Sequence, residues 1–561
     1  MIKKWEILST EKRPVSNDEI ISILLKNRGI SNLDRDDFLK PSLESITLES
    51  VGISIAALKK LLVRLDAALK NKEMIVVYGD YDVDGVTATA ILWETLISLG
   101  FNVLPYIPHR QDEGYGLSIK GIENIKASTD KQISNVKLII TVDNGIVAHE
   151  AVNYAHKQGI DVIVTDHHLS DDEEKLPQAL AIIHTVKLCG AGIAWLISKN
   201  IRQNFGMKDQ IFDDVHLELA ALATVADLVP LTSANRAIVY HGLKKLPLTS
   251  RFGLQELYIR AAINTQLIGV YEIGHMIGPR LNAAGRLESA MDSLRLLCTK
   301  DRKRAVMLAD KLENINGERQ LIMRDAITHA SGEIRSRRNT KKILIIANDQ
   351  YEEGIMGLVA GRLVEEYYLP AIVISRGVNT SKGSVRSISG FNIIEFLRSH
   401  QEMFINVGGH PMAAGFTLAS ENIEILQTTL EDNIQGLLTD EQLQKKIKVD
   451  LELSFNDVSE ELSSCISTLA PFGMGNFEPT FVSRQVLVRE KRLLGKERKH
   501  MRLVLQGGEL GNVIEAVAFG MGDRIGEIEE EGYVDIVYTI GMNEWNGSRR
   551  LQIKLKDFKS S

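Results

Sequence analysis

The spacing of apolar residues changes several times along the chain, and each change marks a new kind of element. Leu58, Leu61, Leu62, Leu65 and Leu69 recur at helical spacing between Ile55 and Asn71, and Asn17-Asp-Glu-Ile opens an earlier segment. Residues 1–70 are therefore predicted to be mostly helical. Met74–Tyr78 is a short β-rich run, followed by an acidic turn with glycine and a helix from about Val86 to Leu99. The pattern returns at Leu138–Val142, with Asp143-Asn-Gly and a helix near Ala148–Gln158, and again at Val162–Thr165 with Asp166-His-His. Strands alternating with helices predict a parallel sheet with crossover helices. A long charged helical stretch covers about Asp301 to Gly332 and ends in Arg335-Ser-Arg-Arg. A second α/β unit starts at Ile343-Leu-Ile-Ile, with a helix near Gly354–Tyr367 and a strand at Ala371–Ser375. After Lys448, short runs at Phe481–Val488, Met501–Leu505, Ile514–Phe519, Val534–Ile540 and Arg550–Lys554 alternate with turns, which suits a small barrel such as an OB-fold. The expected fold class is α/β: two α/β lobes joined by a long helix, plus a C-terminal OB-fold-like β-barrel. The expected divisions are a helical segment at 1–70, a first lobe at 71–298, a helical connector at 299–340, a second lobe at 341–440 and a barrel at 446–561.

Composition narrows the class without changing that outline. A chain of 561 residues, 44% hydrophobic and 25% charged, has material for three or four globular domains, which excludes extensive disorder. The net charge of −7 argues against a histone-like binder and says little about local basic channels. Three cysteines, Cys189, Cys298 and Cys465, lie far apart with no CxxC pair, which excludes a disulfide scaffold and suits a reducing compartment. Met1-Ile-Lys-Lys-Trp-Glu opens no apolar leader, and no stretch approaches 18 uninterrupted apolar residues. The expectation is a cytoplasmic protein with no membrane association.

The candidate chemistry lies at the ends of the strand runs. Gly79-Asp-Tyr-Asp-Val-Asp-Gly places Asp80, Asp82 and Asp84 after the first run, where alternate spacing lets Asp82 and Asp84 point the same way from an extended segment. Three carboxylates so close repel one another and need a cation or solvent. Asp143 and Asp166-His167-His168 also follow apolar runs, at the carboxyl ends where open α/β sheets build their sites, and Asp227 ends the apolar segment Leu219–Ala226. Many carboxylates with few imidazoles favour a pair of hard divalent ions, Mn²⁺ or Mg²⁺, over a tetrahedral zinc. Two such ions can share a bridging carboxylate, lower the pKa of a water and clamp a phosphoryl oxygen. Gly-x-Ser-x-Gly and P-loop patterns are absent.

Gly79-Asp-Tyr-Asp-Val-Asp-Gly, Thr141-Val-Asp-Asn-Gly and Asp166-His-His together resemble the DHH phosphoesterase superfamily. Further motifs narrow the resemblance to RecJ-type single-strand-specific exonucleases. They are Ile107-Pro-His-Arg with Gly114-Tyr-Gly-Leu, Ala223-Thr-Val-Ala-Asp-Leu-Val-Pro, Ile277-Gly-Pro-Arg-Leu-Asn, Lys382-Gly-Ser-Val-Arg-Ser, Gly408-Gly-His-Pro-Met-Ala-Ala-Gly and Pro471-Phe-Gly-Met-Gly-Asn. The resemblance implies Asp82, Asp84, Asp143, His167 and Asp227 as metal ligands, with Asp143 bridging. Asp80 and His168 follow as further ligands or phosphate contacts. It also implies a substrate-binding set of Arg110, Arg280, Asn282, Ser384, Arg386, Ser387, Gly408, Gly409 and His410. Tyr78 departs from the pattern, because some superfamily members carry His there, as does Tyr351-Glu352, where many RecJ relatives read Trp-His.

In the second lobe, Ser384, Arg386 and Ser387 are expected in a Gly-flanked loop suited to a terminal phosphate. Eight Lys or Arg between Arg484 and Arg502, with Phe472, Phe477 or Trp545 nearby, suit an electrostatic groove for single-stranded nucleic acid. The resemblance then implies a monomeric 5′→3′ exonuclease on single-stranded DNA that releases 5′-mononucleotides in recombination and repair. Its protein partners would be single-strand-binding protein and repair helicases. Two alternatives remain: an oligonucleotide or cyclic-dinucleotide phosphodiesterase of the same superfamily, and an inactive nucleic-acid-binding scaffold.

Overall fold

The computed structural model describes residues 3–9, 16–127, 135–169, 176–206, 215–337, 341–508, 510–545 and 548–560. The first sheet contains β1 (Met74–Tyr78), β2 (Val103–Tyr106), β3 (Val136–Val142), β4 (Asp161–Asp166) and β5 (Ala181–His184). All five are parallel, in the order β2-β1-β3-β4-β5. Val76, Ile139 and Val164 lie in an apolar cluster on one face of it. Because β2 lies on one side of β1 and β3 on the other, the order of strand addition reverses between β1 and β3, and a crevice opens at their carboxyl ends. The following helix starts at Val83 rather than Val86, because Asp82 caps it by accepting a hydrogen bond from the Gly85 N–H at 3.0 Å. The acidic turn is therefore the start of a helix rather than an extended segment.

The chain divides into two compact units, Ile7–Glu313 with Lys448–Ser561, and Met1–Glu6 with Asn314–Ile447. A 35-residue helix, Arg302–Ser336, supplies the charged stretch seen in the sequence. The second sheet holds β6 (Leu344–Asn348), β7 (Ala371–Ser375), β8 (Thr380–Arg386), β9 (Asn406–His410) and β10 (Ala413–Ala419), in the order β9-β10-β8-β7-β6. Only β6 and β7 run parallel. The loop expected around Ser384 and Arg386 is strand β8, and Gly408 and Gly409 lie on the edge strand β9. Few branched apolar residues mark β8, and Gly383 stands where a Cβ would lie 2.1 Å from the Phe416 ring. Pairing with β7 and β10 imposes the strand there despite a turn-like composition.

β11 (Phe481–Leu494), β12 (His500–Gln506), β13 (Val513–Ala518), β14 (Tyr533–Trp545) and β15 (Ser548–Ser560) form the barrel. They run in the order β11-β12-β13-β15-β14, and pairing of β14 with β11 closes it. Closure removes exposed sheet edges. Helix Asn17–Asn27 contributes Ile20, Ile21, Ile23, Leu24 and Leu25 to the barrel's own apolar cluster, although more than 400 residues separate them in sequence. Arg236 secures this arrangement: it is 1% exposed, its Nε donates to the Phe38 carbonyl at 2.7 Å and its Nη2 to the Ala470 carbonyl at 2.8 Å. Burial holds its pKa down to about 10. Among the described residues, no helix is long and apolar enough to cross a membrane.

Replacing Arg236 with Ala strands the buried Phe38 carbonyl and the partly buried Ala470 carbonyl at once. The expected loss of unfolding free energy is about 2–4 kcal/mol, read from the denaturant midpoint. A shift below about 0.5 kcal/mol would mean that those carbonyls find other donors.

Candidate metal centre

The crevice gathers all seven Asp and His side chains expected of a metal site. Asp82 caps helix Val83–Ser98, and Asp84 lies in its first turn. Asp143 directly follows β3, His167 and His168 follow β4, and Asp227 caps the C-terminal end of helix Leu217–Ala226. Three overlapping groups have potential ligand atoms within 4.8 Å of one another: Asp143 with His167 and His168, Asp84 with His167 and Asp227, and Asp80 with Asp82 and Asp143. His167 Nε2 lies 3.1 Å from Asp143 Oδ1, 3.6 Å from Asp84 Oδ2 and 3.7 Å from Asp227 Oδ2. Asp143 and His167 each belong to two groups, and of the two the Asp143 carboxylate has the chemistry of a bridging position.

Close backbone packing holds the donors in place. Asp143 adopts φ +64°, a left-handed conformation disfavoured for a residue with a side chain. Gly190 makes room for its carboxylate, since a Cβ there would lie 2.5 Å from Asp143 Cβ. Asp84 accepts from the Gly190 and Ala191 N–H groups at 2.6 and 2.7 Å, at the positive end of helix Gly190–Asn204. The sequence reading assigns Asp166 no role of its own, yet this residue organises the histidines. Its carboxylate accepts from the Ile146, His167 and His168 N–H groups and lies 2.7 Å from His168 Nδ1. The Tyr115 hydroxyl reaches His168 at 3.0 Å. Tyr78 turns elsewhere, donating to the Gly116 carbonyl at 3.2 Å.

The electrostatics call for cations. Burial, then Asp82, raises the Asp80 carboxyl well above the usual range. Burial, then Asp84, does the same to Asp143 and raises Asp227 to about 8. Asp82 moves the same way through burial and Asp84. Asp80 Oδ1 and Asp143 Oδ1 are buried oxygens with no hydrogen-bond partner among the described residues. Burial lowers the His167 pKa, leaving a neutral imidazole able to ligate. Burial acts likewise on His168, but the Asp166 carboxylate outweighs it and raises His168 to about 9. Crowded oxygens lacking donors, with one neutral imidazole, fit hard divalent ions.

A second network, which no motif announced, braces the two helices that carry Asp84 and Asp227. Arg251 bonds Glu94 on the first helix at 2.7 Å and Glu218 on the second at 2.8 Å, and it also reaches His216 Nδ1. Burial, then Arg251, depresses His216 to about 3, so it remains neutral there.

The expected substrate groups divide into two kinds. Asn282 accepts from the Val83 N–H at 2.9 Å, Arg110 lies over the Tyr81 ring at 5.0 Å, and Arg280 is forked onto Glu313 at 2.6 and 3.1 Å. In the second lobe, a Cβ on Gly357 would meet Arg386 Nη2 at 2.8 Å and Ser384 Oγ at 3.2 Å, which places both beside the start of helix Met356–Tyr367. Burial lowers the Arg386 pKa, and the guanidinium's Nη1 donates to the Val385 carbonyl. The Ser387 hydroxyl is spent on the Phe391 carbonyl. Gly408, Gly409 and His410 are exposed. Tyr351 is buried, with its hydroxyl 2.8 Å from His329 Nδ1.

On the barrel, much of the basic stretch is neutralised locally: Arg484 pairs with Asp535, Arg489 with Glu531, Lys499 with Glu497, and Arg502 with Glu490 and Glu515. Phe472 packs on the barrel core and Phe477 is exposed. The Trp545 side chain lies outside the described residues.

Three family models match the chain: the DHH family N-terminal domain over residues 74–224, the DHHA1 domain over 339–436 and the RecJ OB domain over 449–557. The single-stranded-DNA-specific exonuclease RecJ of Bacillus subtilis is 33% identical over 99% of this chain and 70% of its own length. RecJ from Thermus thermophilus in complex with Mn²⁺ superposes with a TM-score of 0.82 at 27% identity, covering 100% of this chain and 80% of its own. The Mg²⁺ complex of the same protein gives 0.77 at 26%, covering 100% and 78%.

Two outcomes follow from this geometry. Gly190→Ala favours helix formation yet drives a methyl into Asp143, so Mn²⁺ affinity measured by calorimetry should fall about 10–100-fold with the fold retained. The raised carboxyls hold protons at pH values above their ordinary range, and ions must displace them. Mn²⁺ binding should therefore release protons and tighten as pH rises from about 5 to 8, as calorimetry in buffers of differing ionisation enthalpy would record.

Proposed function

Because the chain belongs to the RecJ family of single-stranded-DNA-specific exonucleases, we propose that it degrades single-stranded DNA from the 5′ end and releases 5′-mononucleotides. The observation that carries this reading is the set of donor groups sharing Asp143 and His167 at the reversal point of the first sheet. Asp80, Asp82, Asp84, Asp143, His167 and Asp227 would hold two divalent ions, Mn²⁺ or Mg²⁺. When bound, such ions lower the pKa of a water and stabilise charge on phosphoryl oxygens.

The chain's own groups do the rest. Asp166 and Tyr115 orient His168 toward the scissile phosphate. Arg110 binds a neighbouring phosphate, while Asn282 and Arg280 hold the acidic turn and its supporting helix in place. Ser384 and Arg386 take the terminal 5′-phosphate, an anion suited to a guanidinium that forms no ion pair among the described residues. The exposed backbone of Gly408 and Gly409 extends that site. The barrel guides the strand with Arg492, Lys496 and Arg498, a contact that weakens with salt and ignores sequence. In the cell the protein acts in the cytoplasm as a monomer, alongside single-strand-binding protein and the helicases of recombination and repair.

Single-stranded DNA labelled at either end, incubated with Mn²⁺, Mg²⁺ or EDTA, tests this directly. Mononucleotide is expected at once from the 5′ label, and none in EDTA or with Asp143→Ala. Long DNA left intact while two- to four-residue oligonucleotides are cleaved would replace this reading with the phosphodiesterase one. Binding without cleavage would point to a scaffold.

A further inference from the structure

None of the roles above uses the outer face of the segment that leads into Asn282. Ile273–Ile277 form a π-helical turn between the short helix Val270–Glu272 and helix Gly278–Leu287. The inner face of this run is keyed into the metal cluster. Ile273 and Ile277 are wholly buried, and a Cβ on Gly278 would sit 3.6 Å from the Ala226 methyl, next to Asp227. Further along, Asn282 accepts from the Val83 N–H, and Gly285 presses on the Tyr81 carbonyl.

The outer face is open and aromatic. Tyr271 and His275 are stacked with ring centroids 4.5 Å apart and planes 16° apart, and Tyr271 is 63% exposed. Leu228, directly after Asp227, is also 63% exposed and adopts φ +59°. The barrel's 472–477 loop comes to the same place: the Leu231 N–H donates to the Met474 carbonyl at 2.7 Å, and a Cβ on Gly473 would meet Leu231 and Val270. Met474 and Phe477 remain exposed. Exposed apolar and aromatic groups on segments that adjoin Asp227 and lead to Asn282 mark a binding surface, and π-turns concentrate at such places.

We propose that the Tyr271–His275 pair is a nucleobase-stacking platform, on which bases of single-stranded DNA rest while the adjoining phosphate occupies the metal cluster. This rests on the exonuclease reading. The Tyr271 and His275 rings present flat faces that suit a base, while the nearby Arg28 guanidinium is held on the Phe477 carbonyl at 2.7 Å. Every base has such a face, so the platform holds the strand in register without reading its sequence.

The test pairs deletion of the ring with deletion of the base. Single strands carrying one abasic residue at successive positions from the 5′ end are digested by the full chain with Mn²⁺. The wild-type chain should slow about 10-fold when the abasic residue occupies one or two fixed positions. Tyr271→Ala should be about 10-fold slower on intact DNA and lose that positional dependence, whereas Tyr271→Trp keeps both. An unchanged rate in Tyr271→Ala overturns the proposal. So does an equal slowing on intact and abasic strands, which would reduce the stack to a support for the π-turn. If the wild-type chain degrades no single-stranded DNA, the exonuclease reading fails. If it degrades DNA with a flat abasic profile, only the platform fails.

Discussion

Mutual repulsion among buried carboxylates is the constraint around which the first lobe is organised. Asp80, Asp82, Asp84, Asp143 and Asp227 crowd one crevice, and burial there already disfavours the charged forms of Asp80, Asp82, Asp143 and Asp227. Holding them together without collapse requires donors and rigid backbone on every side. The Gly190 and Ala191 N–H groups satisfy Asp84, and the Asp82 carboxylate is used by its own helix. Asp143 is held in a left-handed conformation that Gly190 accommodates. Farther back, Arg251 locks the helices behind Asp84 and Asp227 through Glu94 and Glu218. Asp80 Oδ1 and Asp143 Oδ1, buried without a hydrogen-bond donor among the described residues, belong to the donor groups able to hold a cation. The strain is thus concentrated where a ligand relieves it.

The catalytic half of this picture was legible in the sequence because its signals are local. Apolar runs ending in Asp or His identify β1, β3 and β4 and the edge at which they terminate. The errors arose where structure depends on distant partners. Asp82 and Asp84 alternate as they would in a strand, yet the cap to Gly85 and the bonds to Gly190 and Ala191 turn them into a helix start. Strand β8 has turn-like composition and is recruited by its neighbours on both sides. In the basic stretch between Arg484 and Arg502, which the sequence shows only as charge, cross-strand pairing brings Glu515, Glu531 and Asp535 beside Arg502, Arg489 and Arg484. Asp166 is visible as a letter in a motif, but its part as organiser of two histidines is a matter of backbone geometry.

The aromatic face beyond the cluster complements this division of labour. Carboxylates and cations can act on a phosphodiester without regard to the attached base, so they supply chemistry but no grip on the strand's stepwise advance. Flat, uncharged groups beside them can supply that grip with equal indifference to sequence. A nuclease that consumes any strand to its end needs both kinds of indifference.

The sharing of one apolar core between helix Asn17–Asn27 and the barrel also bears on how the chain is made. During synthesis helix Asn17–Asn27 emerges more than 400 residues ahead of its partner strands. Residues 74–287, which hold every donor of the metal cluster, are translated in between and can fold while the helix's apolar face is still unmatched. A nascent chain of this protein therefore carries a sticky helix until the barrel strands have followed it. Release before the barrel is made would leave that segment orphaned, a substrate for chaperones and proteases, so loss of the barrel is reported by exposure of a helix far upstream.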